Sequence, residues 1–481
     1  MLFANRYDVF RDELYFIVCG RHPAFGYADQ PPLVPLLAAA FFSAGAQTWL
    51  LRLPAVIAAA LLVFLTVRFV RLLGGGDAAA VAAGLAAAFA PMFLGLFSTF
   101  NTTVFEPLAW TAIAYLLARG ALRDDRRAFV WAGVVAGLAF EAKYALVMWL
   151  VALGVGFGLT PERRLLAARE LWIGVAITTA LALPSVLWQA AHGWPFAELV
   201  RAAGDKNAVV GPVDFVLNQV LVMNPLFAPL WIAGIVTPFV RRDLAPVRFL
   251  AIAFVVVLTL TIVSHGKDYY VAAAYPALFA LGAAGLERVV RNRIVRVAYL
   301  GAAVALSAVA APTAMPILAP ADVPAYMQRM HIAQQQQEKG FAGTALPQDF
   351  ADQLGWHDFV RQVGSAYAAL PAADRERTAV LVDNYGEAAA LDVYGAPYGL
   401  PPALSGHNQY YFWGQRGQQP ANLLRVQRHI ERLRPYCADA RALATTASPF
   451  AVAHENGKTI AFCRGLKVPL PQIWPKLKNF S

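Results

Sequence analysis

The sequence predicts a mainly helical, polytopic membrane protein that ends in a soluble α/β domain. Of its 481 residues, 58% are hydrophobic and only 15% are charged, against roughly 25% charged residues in soluble domains. The mean hydropathy is +0.50. Residues 33–318 consist mainly of apolar runs separated by short polar loops, whereas residues 320–481 have the composition of a soluble domain. Since an apolar run of about 17–25 residues can cross a bilayer as a helix, the two regions differ in environment.

The apolar runs predict about ten membrane-spanning helices. They fall near residues 50–70, 78–97, 107–118, 128–140, 144–160, 171–187, 214–239, 249–264, 270–286 and 296–318. Two runs, 107–118 and 128–140, are short for a full crossing, so we expect tilted helices or helices surrounded by others. This divides the chain into an opening segment with juxtamembrane helices (1–48), a transmembrane domain (49–318) and a soluble domain (319–481).

The loops between the runs alternate in charge. Arginines concentrate in the loops at 68–71, 119–127, 163–169, 241–248 and 288–296. The positive-inside rule places these loops in the cytoplasm. The other loops, the opening segment and the C-terminal domain then lie outside, which is the periplasm of a bacterium with an inner and an outer membrane. The net charge of +10 does not indicate nucleic-acid binding, because the basic residues are not gathered with aromatics on one face.

The C-terminal region contains a predicted βα unit in "TAVLVDNYGEAAALDVYG". Residues 379–382 form an apolar run typical of a buried strand, a turn follows at 384–386, and a helix is expected from Glu387. This pattern favours an α/β domain. The following "SGHNQYYFWG" predicts either a strand with alternating aromatics or an aromatic platform for a sugar or lipid.

Two cysteines of this region, Cys437 and Cys463, are candidates for a disulfide. A disulfide persists in an oxidising compartment such as the periplasm. Its geometry cannot be checked from the sequence, so the pairing is an expectation.

The outward loops carry few charges, and their acids are candidate site residues. Asp12 and Glu13 are adjacent, Asp29 follows a Gly26-Tyr27 turn, and Glu106 precedes an apolar run in "NTTVFEP". A carboxylate next to an acceptor hydroxyl can act as a general base, and neighbouring carboxylates can shift its pKa or hold a metal ion. The alternatives are a solvated pair at 12–13, a helix cap at Asp29 and a helix-dipole charge at Glu106.

The lysines of the membrane half, Lys143, Lys206 and Lys267, all fall in outward loops. An ammonium group binds phosphate as a point charge, although Lys143 and Lys267 could also be interface anchors. Acids and lysines on one side of the membrane together favour a site for a lipid phosphate and a hydroxyl acceptor. A transporter or flippase for lipid-linked sugars would instead place ionisable residues within its spans. A non-catalytic partner in envelope-glycan assembly is the other alternative.

The motifs in these loops resemble a known family. Asp12-Glu13 with Tyr15, followed by "GYADQPPL" at 26–33, resembles the first outer loop of glycosyltransferase family 39. This is the protein-mannosyltransferase and aminoarabinose-transferase-like group, which has the GT-C fold. "GLAFEAKY" and "GKDYYVAAAYP" resemble two further family segments, with Ala142 where threonine is usual. The resemblance covers about residues 8–290, and the C-terminal region is similar to the periplasmic extension of a bacterial subgroup.

The resemblance implies transfer of a sugar from a polyprenyl-phosphate donor to an acceptor hydroxyl or phosphate at the periplasmic face of the inner membrane. The acceptor would be an envelope glycolipid, a glycan or a protein. Carried over by position, the roles are general base for Asp12, support for Glu13, acceptor or metal side for Asp29 and Glu106, and donor-phosphate binding for Lys143, Lys267 and His265. No organic cofactor is implied, and a divalent cation is left open.

Two departures from the family pattern give further expectations. Gln30 stands where some relatives carry lysine, so one contact to the donor phosphate is expected to be absent. The family also has a transmembrane helix ahead of the Asp12-Glu13 loop. We expect either that the run from about residue 33 carries the short N-terminus outward or that the native chain begins earlier, with one more span.

Overall fold

The computed structural model describes residues 3–207, 210–333, 338 and 341–480. It is 66% helical, and its five-stranded sheet lies wholly in the C-terminal region. The predicted fold class, a helical membrane bundle with a C-terminal α/β domain, is confirmed.

Sixteen helices precede residue 320 in the part of the chain that is described. They are α1 (Arg11–Arg21), α2 (Leu33–Ser43), α3 (Thr48–Leu51), α4 (Leu53–Leu72), α5 (Asp77–Phe89), α6 (Pro91–Leu96), α7 (Glu106–Arg123), α8 (Arg127–Phe140), α9 (Leu146–Gly158), α10 (Arg169–Ala191), α11 (Pro195–Lys206), α12 (Pro212–Val222), α13 (Ala228–Val240), α14 (Arg248–Val263), α15 (Tyr275–Leu286) and α16 (Arg293–Ala314).

Five helical segments among the described residues are long and apolar enough to cross a membrane, and two bent pairs raise this number to seven. The expectation of about ten spans stays a prediction. The run at 214–239 is not one straight helix, because α12 and the helical segment after it meet at an angle of 92°. Asn224 adopts a positive φ of 70° at the bend. Pro225 follows it, has no N–H to continue the helix, and so fixes the break.

Glycines let the apolar helices pack closely. A Cβ atom on Gly133 of α8 would lie 2.2 Å from the carbonyl oxygen of Gly174 on α10. Thr178 of α10 also donates a hydrogen bond of 2.9 Å to the Gly133 carbonyl. On α15, a Cβ atom on Gly282 would lie 1.7 Å from the Leu230 carbonyl of α13. Small residues at such crossings bring helix backbones into direct contact, which is how helices associate in lipid.

In the structure, loops of the same predicted set contact one another at each end of the bundle. At the arginine-rich end, Glu287 accepts a hydrogen bond of 2.6 Å from Gly76 N, and Arg241 donates one of 2.9 Å to Ala284 O. At the other end, Lys478 near the C-terminus pairs with Glu198 at 2.6 Å. The C-terminal domain therefore contacts the bundle at the end opposite the arginine-rich loops.

The C-terminal domain combines short helices with a mixed sheet. Its elements are α17 (Val323–Arg329), α18 (Gln348–Ala351), α19 (Trp356–Ala368), α20 (Ala372–Arg375), β1 (Thr378–Val382), α21 (Tyr385–Tyr394), β2 (Leu404–Ser405), α22 (Gln409–Trp413), β3 (Asn422–Gln427), β4 (Cys437–Thr445), β5 (Thr459–Leu466) and α23 (Leu470–Ile473). The strand order is β2-β1-β3-β5-β4. β1 runs parallel to β2 and β3, and β5 runs antiparallel to β3 and β4.

The predicted βα unit is present as β1 and α21. The helix begins at Tyr385, two residues before the expected Glu387, because the side chain of Asn384 accepts a hydrogen bond from Glu387 N at 2.9 Å and caps the first turn. Cys437 of β4 and Cys463 of β5 form a disulfide.

The prediction of a strand over the aromatic run "QYYFW" is wrong. These residues form the short helix α22, which follows Asn408 at a positive φ of 48° and stops at Gly414, also at positive φ. Tyr410 is buried and donates a hydrogen bond of 2.9 Å to Asp392. Phe412 faces the membrane bundle instead, with its ring 6.0 Å from that of Trp188 on α10.

Candidate active site

Helix α1 places Asp12 in its first turn. The backbone of Phe10 is extended, and Glu13 accepts a hydrogen bond of 2.7 Å from Phe10 N, which fixes where the helix begins. The Asp12 side chain is 31% exposed, and Arg11 Nε lies 3.5 Å from its Oδ1 atom. The same oxygen accepts a hydrogen bond of 2.7 Å from the hydroxyl of Tyr385 in the C-terminal domain. Asp12 is therefore accessible and held from one side.

Glu13 is fully buried, in contrast to Asp12. Arg52 Nε and Nη2 donate hydrogen bonds of 2.9 Å to its two carboxyl oxygens. Phe100 N donates another of 2.7 Å, and Phe10 N completes the set. Arg52 itself is 1% exposed and also donates to Gln353 of the C-terminal domain at 3.1 Å. Glu13 thus joins α1 to the start of α4, and both of its carboxyl oxygens accept two hydrogen bonds each.

Asp29 lies in the loop between α1 and α2. Tyr15 donates a hydrogen bond of 2.8 Å from its hydroxyl to Oδ1, and Asn408 donates one of 3.1 Å to Oδ2. Burial raises the pKa of Asp29 to about 7, because an apolar surrounding disfavours the charged form. Pro32 occupies the N-cap position of α2, so Asp29 does not serve as the helix cap.

The Asp29 loop is held from two directions. From the bundle, Gln189 of α10 donates a hydrogen bond of 2.8 Å to Tyr27 O. From the C-terminal domain, Gln409 accepts one of 3.0 Å from Ala28 N. The loop therefore sits between α10 and the C-terminal domain, and its position depends on both.

Asp12 and Asp29 are connected through a pair of tyrosines. The rings of Tyr15, which binds Asp29, and Tyr385, which binds Asp12, have centroids 4.6 Å apart. Gln409 N donates a hydrogen bond of 3.1 Å to the Tyr15 hydroxyl. The two acids thus belong to one polar network that includes residues of the C-terminal domain.

Glu106 and Lys143 form an ion pair. Glu106 opens α7, and Lys143 lies in the turn between α8 and α9. Lys143 Nζ is 2.8 Å from Glu106 Oε2 and 2.8 Å from Thr103 Oγ1. It also lies 5.5 Å and 5.4 Å from the ring centres of Tyr269 and Tyr270, respectively, within the range of a cation–π interaction.

Lys267 approaches the same tyrosine from the other side of the site. Its Nζ atom is 5.9 Å from the Tyr269 ring centre and is paired with Glu338. His265, two residues earlier, is exposed, and its carbonyl accepts a hydrogen bond of 3.0 Å from Asn207. The two predicted lysines are thus brought together around Tyr269, although 124 positions separate Lys143 from Lys267 in the sequence.

Two further acids connect the lysine group with Asp12. Burial raises the pKa of Asp349, and the nearby charges of Lys267 and Asp12 act on it in opposite directions. Burial also raises the pKa of Asp352 to about 7, partly offset by Arg11, whose Nη1 atom is 3.5 Å from Asp352 Oδ1. The sequence interpretation did not select either acid. They follow α17 in a polar stretch that carries no family motif.

The described residues contain no cluster of protein metal ligands. Across residues 3–207, 210–333, 338 and 341–480, no three His, Cys, Asp or Glu side chains converge as a metal site would require. The acids are instead bound by tyrosines, an asparagine, lysines and arginines.

Comparisons with known proteins agree with this architecture. Residues 29–188 match the family model described as dolichyl-phosphate-mannose-protein mannosyltransferase. No curated protein sequence matches the chain. Among solved structures, ArnT from Cupriavidus metallidurans bound to undecaprenyl phosphate has a TM-score of 0.63 at 14% identity, covering 96% of this chain and 95% of ArnT. Its apo state has a TM-score of 0.60 at 14% identity over the same shares of the two chains.

The chain shares the fold of ArnT over nearly its full length, and its apolar helices are those of a multi-pass membrane protein. The resemblance to glycosyltransferase family 39 that the outer-loop motifs predicted is confirmed over residues 29–188.

Proposed function

We propose that the chain transfers a sugar from a polyprenyl-phosphate donor to an acceptor hydroxyl or phosphate on an envelope glycolipid, glycan or protein. We place the reaction at the periplasmic face of a bacterial inner membrane, where acids of the opening segment are hydrogen-bonded to residues of the C-terminal domain. The undecaprenyl phosphate bound by the similar ArnT structure supports a lipid-phosphate donor.

Asp12 is the proposed general base. It takes the proton of the acceptor hydroxyl while that oxygen attacks the anomeric carbon of the donor sugar. The bond between this carbon and the phosphate oxygen breaks, and its electron pair leaves with the polyprenyl phosphate. Since a lipid phosphate is already a good leaving group, the protein has to supply a base, positive charge and orientation.

Lys143 and Lys267 are proposed to stabilise the charge on the departing phosphate, with His265 at the edge of the same loop. An ammonium group has three donors, and the contacts described at Lys143 use two of them, to Glu106 and Thr103. Glu106 therefore orients Lys143. We assign Asp29 to the acceptor side and give Glu13 a supporting role through its bond to Arg52.

The observation that carries this proposal is the convergence of the predicted charges. Asp12 and Asp29 share the Tyr15–Tyr385 pair, and the two lysines share Tyr269. Asp349, which lies within the electrostatic reach of both Asp12 and Lys267, connects the two groups. Burial raises the pKa of Asp29 and of Asp349, and buried acids of this kind beside lysines are typical of a functional site.

Sugar transfer by the Asp12→Asn variant tests the proposed base. Wild type and variant are purified at equal yield, and the release of polyprenyl phosphate from synthetic polyprenyl-phosphate hexoses and pentoses is measured with envelope lipid extract as the acceptor. We expect the variant to lose at least about 100-fold in kcat. Unchanged turnover would remove Asp12 as the base. Mass spectrometry of glycolipids from a deletion strain and its complement would then identify the acceptor.

A further inference from the structure

The C-terminal domain supplies one hydrogen bond to each of the two proposed acids on the outer loop. Tyr385 donates to Asp12 at 2.7 Å, and Asn408 donates to Asp29 at 3.1 Å. We propose that Tyr385 and Asn408 are positioning residues for the transfer reaction, so that the C-terminal domain completes the active site. This inference rests on the proposed function and extends it to residues that the outer-loop motifs do not include.

Tyr385 is fixed by its surroundings on several sides. It is the first residue of α21, and its ring lies 4.6 Å from that of Tyr15 and 5.0 Å from that of His407. The guanidinium carbon of Arg11 is 5.4 Å from the ring centre. A ring packed in this way leaves the hydroxyl little freedom, so its bond sets the orientation of the Asp12 carboxylate. A base must present a particular lone pair to the proton that it takes.

Asn408 adopts a backbone conformation that other residues seldom take. Its φ of 48° and ψ of −129° belong to a region that glycine populates readily and other L-residues avoid. The side chain is almost fully buried. Within the described part of the chain its Oδ1 atom has no hydrogen-bond partner, so the bond from Nδ2 to Asp29 is the contact that holds it.

Glycine would fit this backbone with less strain, but it would leave Asp29 without its second donor. Strained residues are concentrated at functional sites, where the surrounding structure maintains them. The strained backbone at Asn408 thus places an amide donor on Asp29, which glycine could not supply.

The contact surface around these two residues is closely packed. A Cβ atom on Gly386, next to Tyr385, would lie 2.5 Å from Arg11 Cγ. Gln409, next to Asn408, accepts a hydrogen bond from Ala28 N and donates one from its backbone to the Tyr15 hydroxyl. The domain is therefore docked directly beside both acids, and the two donors keep a defined position relative to the bundle.

The variants Tyr385→Phe and Asn408→Gly test this inference, with Tyr394→Phe as a matched control. Tyr394 lies on the same helix α21 and donates a bond of 3.2 Å to Asp8, which is not a proposed site acid. The control thus removes an equivalent hydrogen bond between the same two parts of the chain. The full-length proteins are compared in the polyprenyl-phosphate release assay, with kcat and KM for the donor measured separately and thermal stability measured in the same detergent.

We expect Tyr385→Phe and Asn408→Gly each to lower kcat by about 10- to 100-fold, the effect of misplacing a reacting group. KM for the donor should stay within about 2-fold, because the lysines that bind the phosphate are untouched. Asn408→Gly should change the melting temperature little, because relief of the strained backbone offsets the loss of the hydrogen bond to Asp29. Tyr394→Phe should leave kcat unchanged.

Two results would overturn the inference. The first is that both variants have the kcat of Tyr394→Phe while Asp12→Asn is inactive. The second is that they lose thermal stability while turnover per folded molecule is unchanged, which would make the contacts purely structural. Wild-type turnover by Asp12→Asn would instead refute the proposed function, so the two failures are distinguishable.

Discussion

Replacing Glu13 with glutamine distinguishes a structural acid from a catalytic one. Each carboxyl oxygen of Glu13 accepts one bond from Arg52 and one from a backbone N–H, at 2.7–2.9 Å. Glutamine keeps the shape but turns one of these oxygens into an NH₂ group that faces two donors. Two bonds to a charged group are then lost, at about 1.5–3 kcal/mol each.

The charge balance gives a similar magnitude by an independent route. Removing one partner of a buried ion pair destabilises a protein by about 3–5 kcal/mol, because the other charge is left without compensation. Arg52 is 1% exposed, so water cannot replace the lost partner. Both estimates describe the same loss, and we expect Glu13→Gln to reduce the free energy of unfolding by about 3–5 kcal/mol.

A double-mutant cycle with Arg52→Met measures the interaction free energy between Glu13 and Arg52. Unfolding is followed in detergent for both single variants and the double variant, and kcat is measured per folded molecule. We expect the double variant to be more stable than the sum of the single effects predicts, with kcat close to wild type. A loss below about 1 kcal/mol would refute the structural assignment. So would a fall in kcat to the level of Asp12→Asn with stability intact.

Three further predictions concern other parts of the chain. Burial raises the pKa of Asp29 to about 7, from about 3.9 in the unfolded chain, so its contribution to stability is fully present below pH 3.9 and is lost as the pH rises through about 7. In thermal melts from pH 4 to 8, Asp29→Asn should therefore reduce the fall of the melting temperature with pH. An unchanged pH dependence would contradict the assignment. Lys143→Met should lower both the stability and the release of polyprenyl phosphate from the donor, because it leaves Glu106 buried without its partner. Adding Glu106→Gln should restore stability but not activity. Recovery of both would exclude a role for Lys143 at the phosphate. Replacing Cys437 and Cys463 with serine removes a disulfide across 26 positions, which stabilises the folded state by about 3.5 kcal/mol through loop entropy. Limited proteolysis should therefore cut the C-terminal domain of the variant faster than that of the wild type. Equal cleavage rates would show that the disulfide adds little stability.

The helical half could be predicted where composition alone decides the structure. The runs that became α4, α10, α14 and α16 are continuous and apolar, and a bilayer leaves few alternatives to a helix. The bend between α12 and α13 was missed because a hydropathy pattern does not show where the axis of a helix changes direction. The signal was present in Asn224-Pro225, since a proline restricts the residue before it and interrupts the helical hydrogen bonds.

At the aromatic run 409–413, the local sequence pattern predicted the wrong secondary structure. Its residues have high strand propensity, yet the structure makes a helix of them. The backbone at Asn408 and Gly414 has positive φ at both ends, which isolates a single helical turn between them. Propensity over five residues is a weak signal when tertiary contacts at both ends fix the direction of the chain.

At the candidate site, the predicted side of the membrane identified the acids and lysines that belong together, but it did not give the surroundings of each one. Asp12 and Glu13 are neighbours in the sequence, but on α1 successive side chains point about 100° apart, so one faces the site and the other faces Arg52. Tyr385 and Asn408 lie in two stretches that the sequence analysis singled out, but neither stretch predicted a contact with Asp12 or Asp29. They act on acids 373 and 379 positions earlier in the chain, and a single sequence contains no information about contacts of that range.

These long separations have a consequence for how the protein is made. Translation proceeds from the N-terminus, so Asp12, Asp29 and Arg52 leave the ribosome long before Tyr385, Asn408 and Gln353 exist. Non-local contacts form late, because loop closure must come first. We therefore expect the helical bundle to form before the C-terminal domain, and the contacts of Asp12, Asp29 and Arg52 with that domain to form last. A chain truncated before the C-terminal domain would leave Arg52 and both acids without the partners that this domain supplies.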